Sequence, residues 1–327
     1  MTLFRLTLSA AILAAGAAFA QDGPPRIAML LPGDIADGGF MQAGYNGLVK
    51  IRDRFGAEID YIDRVKPEKP LLEDALRKLA AAGPDMIIAH GGQNNEAART
   101  VAAEFPDIAF VVVQGAVTGP NLSSYEVLQE ESAWLAGAAA GLLTESGVVG
   151  HISGIRVPPG LKGRGGFYNG LMHTRPEAQF LTIFAGDQDD PELAARAARA
   201  EMDKGADIIF TMLNAGRQGA VDAMREGGAR QIGNVIDWTR VDPGVFVASA
   251  IADVSIPGVQ AVEDFVGGTW KPGTIRAIGL ENPEAVSLAL SDDVPQQVRR
   301  KIDALREAIV RNEIEVSTEY AGPELEM

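Results

Sequence analysis

The 327-residue sequence contains no cysteine. That removes disulfide bridges, thiolate metal sites and a cysteine nucleophile together. Histidine is nearly as scarce. His90, His151 and His173 are too scattered along the chain to suggest a zinc site, and neither a metal nor a cofactor is expected. Positive charge is short as well: 29 Lys plus Arg stand against 44 Asp plus Glu, a formal net charge of −15, with no basic stripe. Phosphate contacts need Lys and Arg, so nucleic acid is not an expected partner. Aromatics make up only 6% of residues, so a core must be mainly aliphatic. Beyond the N-terminus no stretch approaches the roughly 20 apolar residues that span a bilayer.

What is present begins at that N-terminus. Arg5 lies in a short polar lead, residues 6–18 are an unbroken run of apolar and small residues, and Ala18-Phe19-Ala20 fits a small-x-small cleavage site. Residues 1–20 therefore read as a secretory signal peptide, with Gln21 the first mature residue. A lipid anchor would need cysteine just after the cleavage site. The expectation is a freely soluble, unlipidated, periplasmic monomer.

With 46% hydrophobic and 22% charged residues, the chain is long enough for two lobes with separate cores. Aliphatic runs at 26–31, 58–62, 86–89 and 108–113 alternate with helical patterns at 39–55, 70–82 and 94–105. Such alternation implies a parallel sheet covered on both faces. The alternation then restarts. Helices at 130–145, 165–174, 191–204 and 216–226 alternate with strands at 148–152, 179–184, 208–212 and 231–236. Strands at 245–250 and 274–280 and helices at 257–267 and 295–312 complete the pattern. The fold class is α/β, two doubly wound parallel-sheet lobes joined by a three-stranded hinge. Residues 21–126 with 250–278 would form the first lobe, and 127–249 with 279–327 the second.

Open α/β sheets bind ligands outside the carboxyl ends of their strands, and two such edges facing each other would enclose a pocket. The residues that follow strands are thus the candidates. Asp37 and Phe40 follow the first strand, as ligand contacts or as a helix cap and a core ring. Gln42 lies just beyond them. His90, Gly91 and Gly92 follow the strand at 86–89, as a plain tight turn or a close backbone approach to ligand. Gln114 ends its strand and could reach ligand or hinge. In the second half Asn214, Asp237 and Trp238 follow strands, each readable as a contact or as a turn or packing residue. Arg156 and Arg164 fall in a Pro/Gly-rich loop at 155–166 and read first as surface arginines. Asp37 and Asp237 do form a conceivable hydrolytic carboxylate pair, but no nucleophile–base pair or metal cluster accompanies them, so no enzyme is expected.

Four segments carry a resemblance: Asp37-Gly-Gly-Phe40-Met-Gln42-Ala-Gly-Tyr45-Asn-Gly47; Glu131-Ser-Ala-Trp134-Leu-Ala-Gly137; Gly205-Ala-Asp207-Ile-Ile-Phe210 with Asn214-Ala-Gly216; and Val235-Ile236-Asp237. Taken in order, the chain resembles the basic membrane protein family of ABC-importer solute-binding proteins, whose better-known members bind purine nucleosides. The resemblance implies a fold like the type I periplasmic binding proteins and an ABC permease as membrane partner. It implies that Phe40 stacks on a flat base, that Asp37 accepts hydrogen bonds from ligand, and that Asp237 holds ribose hydroxyls. Two positions depart from the family pattern. Met41 replaces an Asn, and Ser249 is followed by Ala250, Ile251 and Ala252, where the family often has Ser-x-x-Lys. A nucleobase, a modified nucleoside or another flat heterocycle therefore stays open beside a standard nucleoside. So do a sugar, a flavin or another small solute, and a ligand-sensing role beside a membrane signalling protein.

Overall fold

The computed structural model describes residues 23–36 and 39–327. The signal-peptide reading of residues 1–20, and Asp37, lie outside the described residues.

The first sheet is built from β1 (Arg26–Leu31), β2 (Glu58–Asp63), β3 (Met86–His90), β4 (Ala109–Val113), β5 (Leu122–Val127) and β12 (Ile275–Ile278). Their order is β2-β1-β3-β4-β5-β12, and every pairing is parallel. β3 and β4 are buried along their whole length, as central strands covered on both faces must be. Helices α1 (Phe40–Phe55), α2 (Lys69–Ala81), α3 (Asn95–Glu104) and α8 (Ile256–Val266) pack on this sheet.

The second sheet holds β6 (Val148–Ser153), β7 (Gln179–Phe180), β8 (Ile183–Phe184), β9 (Ile208–Met212), β10 (Arg230–Val235), β11 (Phe246–Ala252) and β13 (Val286–Leu290). Its order is β7-β6-β9-β10-β11-β13, with β8 also paired to β6 and β13 the antiparallel edge. Helices α4 (Gln129–Leu143), α5 (Pro158–Thr174), α6 (Pro191–Met202), α7 (Arg217–Gly227) and α9 (Gln296–Val310) complete the layers. Each sheet carries an aliphatic core on both faces. The chain passes between sheets after β5, after β11 and after β12. One face of the first core continues across these crossings through Trp134, Leu135, Ala138, Val286 and Ile302.

Three sequence expectations need correction. The strand at 122–127 is absent from the sequence reading because Ser123 and Ser124 break its aliphatic signature, yet both are fully buried. Ser124 Oγ donates to Val117 O at 2.6 Å, and Trp270 Nε1 donates to Ser123 Oγ at 2.9 Å, so the buried hydroxyls are satisfied. The segment 179–184 is two short strands rather than one. The segment 155–166 is mostly helix: α5 begins at Pro158, with proline at its first positions, where a missing N–H costs nothing. Its glycines argue against a helix by propensity. Packing overrides that, because a Cβ on Gly170 would lie 1.9 Å from Trp134 O, and one on Gly137 would lie 1.9 Å from Phe167 O. α4 and α5 touch backbone to backbone.

Candidate functional site

At the carboxyl edge of the first sheet, β3 ends in His90, which is buried. Its Nε2 lies 2.9 Å from Phe40 O, and the two rings sit 4.2 Å apart with a 34° tilt. A carbonyl only accepts, so Nε2 carries the proton. The imidazole fits because residue 44 is glycine: a Cβ there would fall 2.6 Å from the ring. Gly91 follows at φ 106°, a conformation closed to most side chains, and donates to Val113 O at 3.0 Å. Phe40, Met41 and Gln42 are partly buried in the first turn of α1. Gln114 directly follows β4, at φ 54°, unusual for a non-glycine residue. Its N–H donates to Tyr125 O, and its Oε1 accepts from Val127 N at 2.7 Å, where the chain leaves for the second lobe. The structure thus brings Phe40, His90 and Gly91 into one cluster and ties Gln114 to a hinge segment.

The second sheet's carboxyl edge carries the other candidates. Asp237 Oδ1 accepts from Thr239 N at 3.1 Å, and Oδ2 pairs with Arg240 Nε at 3.1 Å, so the carboxylate caps a short 3₁₀ turn. Trp238 donates from its backbone N–H to the buried Ser249 Oγ and from Nε1 to Asn234 O, both at 2.9 Å. Phe246 stacks against the indole at 5.6 Å, and Arg217 lies over the ring at 4.2 Å. A base stacking on that indole would have to compete with one of them. Asn214 is exposed, and its carbonyl accepts from Arg217 N at 3.0 Å. Val235, between Asn234 and this turn, has φ 72°. A β-branched residue in the left-handed region is a true outlier, and such strain clusters at functional sites.

Arg217 is absent from the sequence reading, because nothing local distinguishes it from other helix-surface arginines. Arg164 is corrected: it is 7% exposed on α5, not a surface side chain. Its Nη1 donates to Glu324 Oε1 at 2.7 Å, its guanidinium lies between Phe184 and Tyr320, and Glu324 also pairs with Arg156. The C-terminal tail supplies Tyr320 and Glu324. Its distance in sequence, about 160 residues from Arg164, hid the pairing. Beneath this edge, His151 is fully buried between Thr182 Oγ1 at 2.9 Å and Ser153 Oγ at 3.2 Å. Burial, together with the nearby Arg164 charge, pushes its pKa down to about 3, so it is neutral.

At the hinge, Glu131 Oε2 accepts from Leu280 N at 2.7 Å, and Glu281 accepts from Gly279 N at 2.9 Å. Burial raises the Glu131 pKa against the lowering by the Leu280 N–H, helped by Glu281 and Glu130.

A crevice of about 10 Å³ lies at the second carboxyl edge among Ser132, Met212, Asn234, Val235 and Ala250, room for about one water. A larger cavity, about 300 Å³, opens at the opposite, amino-terminal edge of the same sheet, beside Asp207, Ile208, Arg230 and Pro295. Most of its polar groups are already engaged, although Arg230 Nη2 is buried without a hydrogen-bond partner. Asp207 accepts from Thr144 Oγ1, Glu145 N and Ser146 N, and Arg230 pairs with Asp293 at 2.8 Å. Among the described residues no group of three potential metal ligands comes together, and no helix is long and apolar enough to cross a membrane.

Two open, mainly parallel sheets linked by three crossings define a two-lobed α/β protein of the periplasmic-binding-protein kind. Residues 25–319 match the family described as ABC transporter substrate-binding protein PnrA-like, and the chain belongs to that family. It is 23% identical to the transcriptional activator protein Med of Bacillus subtilis, over 76% of this chain and 77% of that protein. It is 24% identical to a purine-binding protein of Brucella abortus, over 77% of this chain and 70% of that one. An ABC transporter solute-binding protein of Conexibacter woesei has the same fold, with TM-score 0.73 at 24% identity over 90% of this chain and 99% of that one.

Proposed function

We propose that this protein is an exported, periplasmic solute receptor that holds a purine nucleoside or nucleobase-like ligand between its lobes and delivers it to an ABC permease. One observation carries the reading: both sheets end in strained, non-glycine backbone on their carboxyl edges, at Gln114 in the first and Val235 in the second. Beside the first stands the partly exposed Phe40 ring, backed by the buried His90 imidazole and suited to a flat base. Beside the second stand Asp237 and Asn234, groups that can accept from hydroxyl or ring N–H donors. The Brucella relative's name supports a purine. Neither edge alone encloses a nucleoside, so ligand would be sequestered as the lobes close on it, and binding would favour the closed form.

The test is a thermal-shift screen of the mature protein against nucleosides, nucleobases, flavins and sugars, followed by calorimetry. Stabilisation by a purine compound is the expected result. Stabilisation by sugars alone would overturn the ligand class. A second reading, the same fold holding another small solute, is favoured by Met41 and Ala252, which stand where the family pattern has Asn and Lys. The name of the Bacillus relative favours testing a ligand-sensing role too, and a co-purifying membrane partner would separate sensing from transport.

A further inference from the structure

The second carboxyl edge holds a cation with no counter-charge among the described residues. Arg217 opens α7, directly after β9, and points back across the ends of β9 and β10. Its Nη2 donates to Leu213 O and to Asn234 Oδ1, the latter at 2.7 Å, and both acceptors are neutral. Nε is buried with no acceptor, whereas Nη1 has neither an acceptor nor complete burial. Among the described residues no carboxylate lies within ion-pair range of this guanidinium.

That absence is selective, because carboxylates are close by and each is engaged elsewhere. Asp237 pairs with Arg240. Asp189 accepts from Ala215 N at 3.2 Å. Asp190 caps α6 through Glu192 N and Leu193 N. Most other arginines of this acidic chain do find a carboxylate; Arg156 and Arg164 share Glu324 at the same edge. Desolvation lowers the pKa of Arg217 to about 10, so it stays charged at neutral pH while paying for its burial. The indole of Trp238 holds it in place at 4.2 Å, and Asn234 fixes its plane. Nη1, the one guanidinium nitrogen neither engaged nor enclosed, is held rigid and uncompensated at a carboxyl-terminal strand edge, and its donors suit an anionic oxygen.

We propose that Arg217 selects a ligand bearing a carboxylate or an equivalent acidic oxygen edge, with Asn234 and Trp238 as positioning residues. This rests on the nucleobase-like reading above and narrows it to acidic heterocycles over neutral ones.

The experiment compares matched pairs by calorimetry at neutral pH: urate with hypoxanthine, and orotate with uracil. A bond to a charged group contributes about 1.5–3 kcal/mol, so the acidic member of at least one pair is expected to bind roughly tenfold tighter or more. Arg217→Gln is expected to remove that preference, bringing the two members of a pair to within about threefold of each other, and Arg217→Lys, which keeps the charge but not the planar guanidinium, to retain part of it. Because the wild-type preference is read without any variant, a misfolded Arg217→Gln does not blunt the test. Equal or tighter binding of the neutral members overturns this inference alone, as does a preference that Arg217→Gln leaves unchanged. Binding of no member of either pair, with a sugar binding instead, overturns the nucleobase-like reading and this inference with it.

Discussion

The imidazole of His90 lies 2.9 Å from the carbonyl oxygen of Phe40, with the two rings 4.2 Å apart. One side chain thus fixes both the first turn of α1 and the ring that would face a base. Replacing it with alanine removes the donor and the ring contact together. His90→Ala is expected to weaken binding of the best compound in the thermal-shift series about tenfold, the combined scale of one hydrogen bond and one aromatic pair. Phe40→Leu should weaken binding with a smaller fall in melting temperature, since Phe40 is only partly buried. If His90→Ala melts early yet binds unchanged in calorimetry, the pair serves packing only.

How much of this was legible beforehand depends on where each signal resides. The strand–helix alternation is local, so the two sheets could be read from aliphatic runs such as 86–89 and 108–113. β5 could not, because Ser123 and Ser124 are satisfied by Trp270 and Val117, partners that no local pattern reveals. α5 was half missed for the opposite reason: its glycines oppose a helix locally and permit it only against α4. In the site, residues that follow strands could be named from topology. Arg217, Asn234 and Glu324 could not, since their significance lies in distant neighbours.

The α4–α5 contact yields the second prediction. Gly137→Ala gains about 1 kcal/mol of helix propensity. Its Cβ, however, would sit 1.9 Å from Phe167 O and 2.7 Å from Phe167 C. Backbone on the facing helix cannot swing aside as a side chain can, so overpacking of about 1–3 kcal/mol or more dominates. Net destabilisation is expected, read as a lower urea midpoint. A neutral or raised midpoint would mean the two helices separate easily.

A buried acid gives a pH dependence. Glu201 is fully buried against Gly150, its Oε1 accepts from His151 N at 3.3 Å, and its Oε2 has no partner. Burial raises its pKa well above the usual carboxylate value, against a smaller lowering by the His151 N–H. A raised folded-state pKa means the folded protein holds the proton more tightly than the unfolded chain. The associated stability is complete below the unfolded pKa and is lost as pH climbs through the folded one. Glu201→Gln keeps the shape without the charge. Its advantage over wild type is therefore expected to grow from pH 5 to pH 9 in paired thermal melts. A difference that stays flat across that range would contradict the assignment.

Val235 offers a test of strain against function. Its φ of 72° costs a β-branched residue about 1–2 kcal/mol, and the residue is 36% exposed, so little packing is at stake. Val235→Gly removes the steric cost and adds back part of it as chain entropy, about 0.5–1 kcal/mol. A gain of up to about 1 kcal/mol in urea unfolding is expected. Glycine also frees the turn that leads to Asp237 and Trp238, so ligand affinity should fall severalfold while stability rises. Val235→Leu, which keeps a Cβ, should show neither change to that extent. Opposite movement of stability and affinity would mark the strained strand end as a device that aims the second lobe's contacts. Parallel movement would reduce Val235 to an ordinary packing position and leave the site to rest on the first lobe alone.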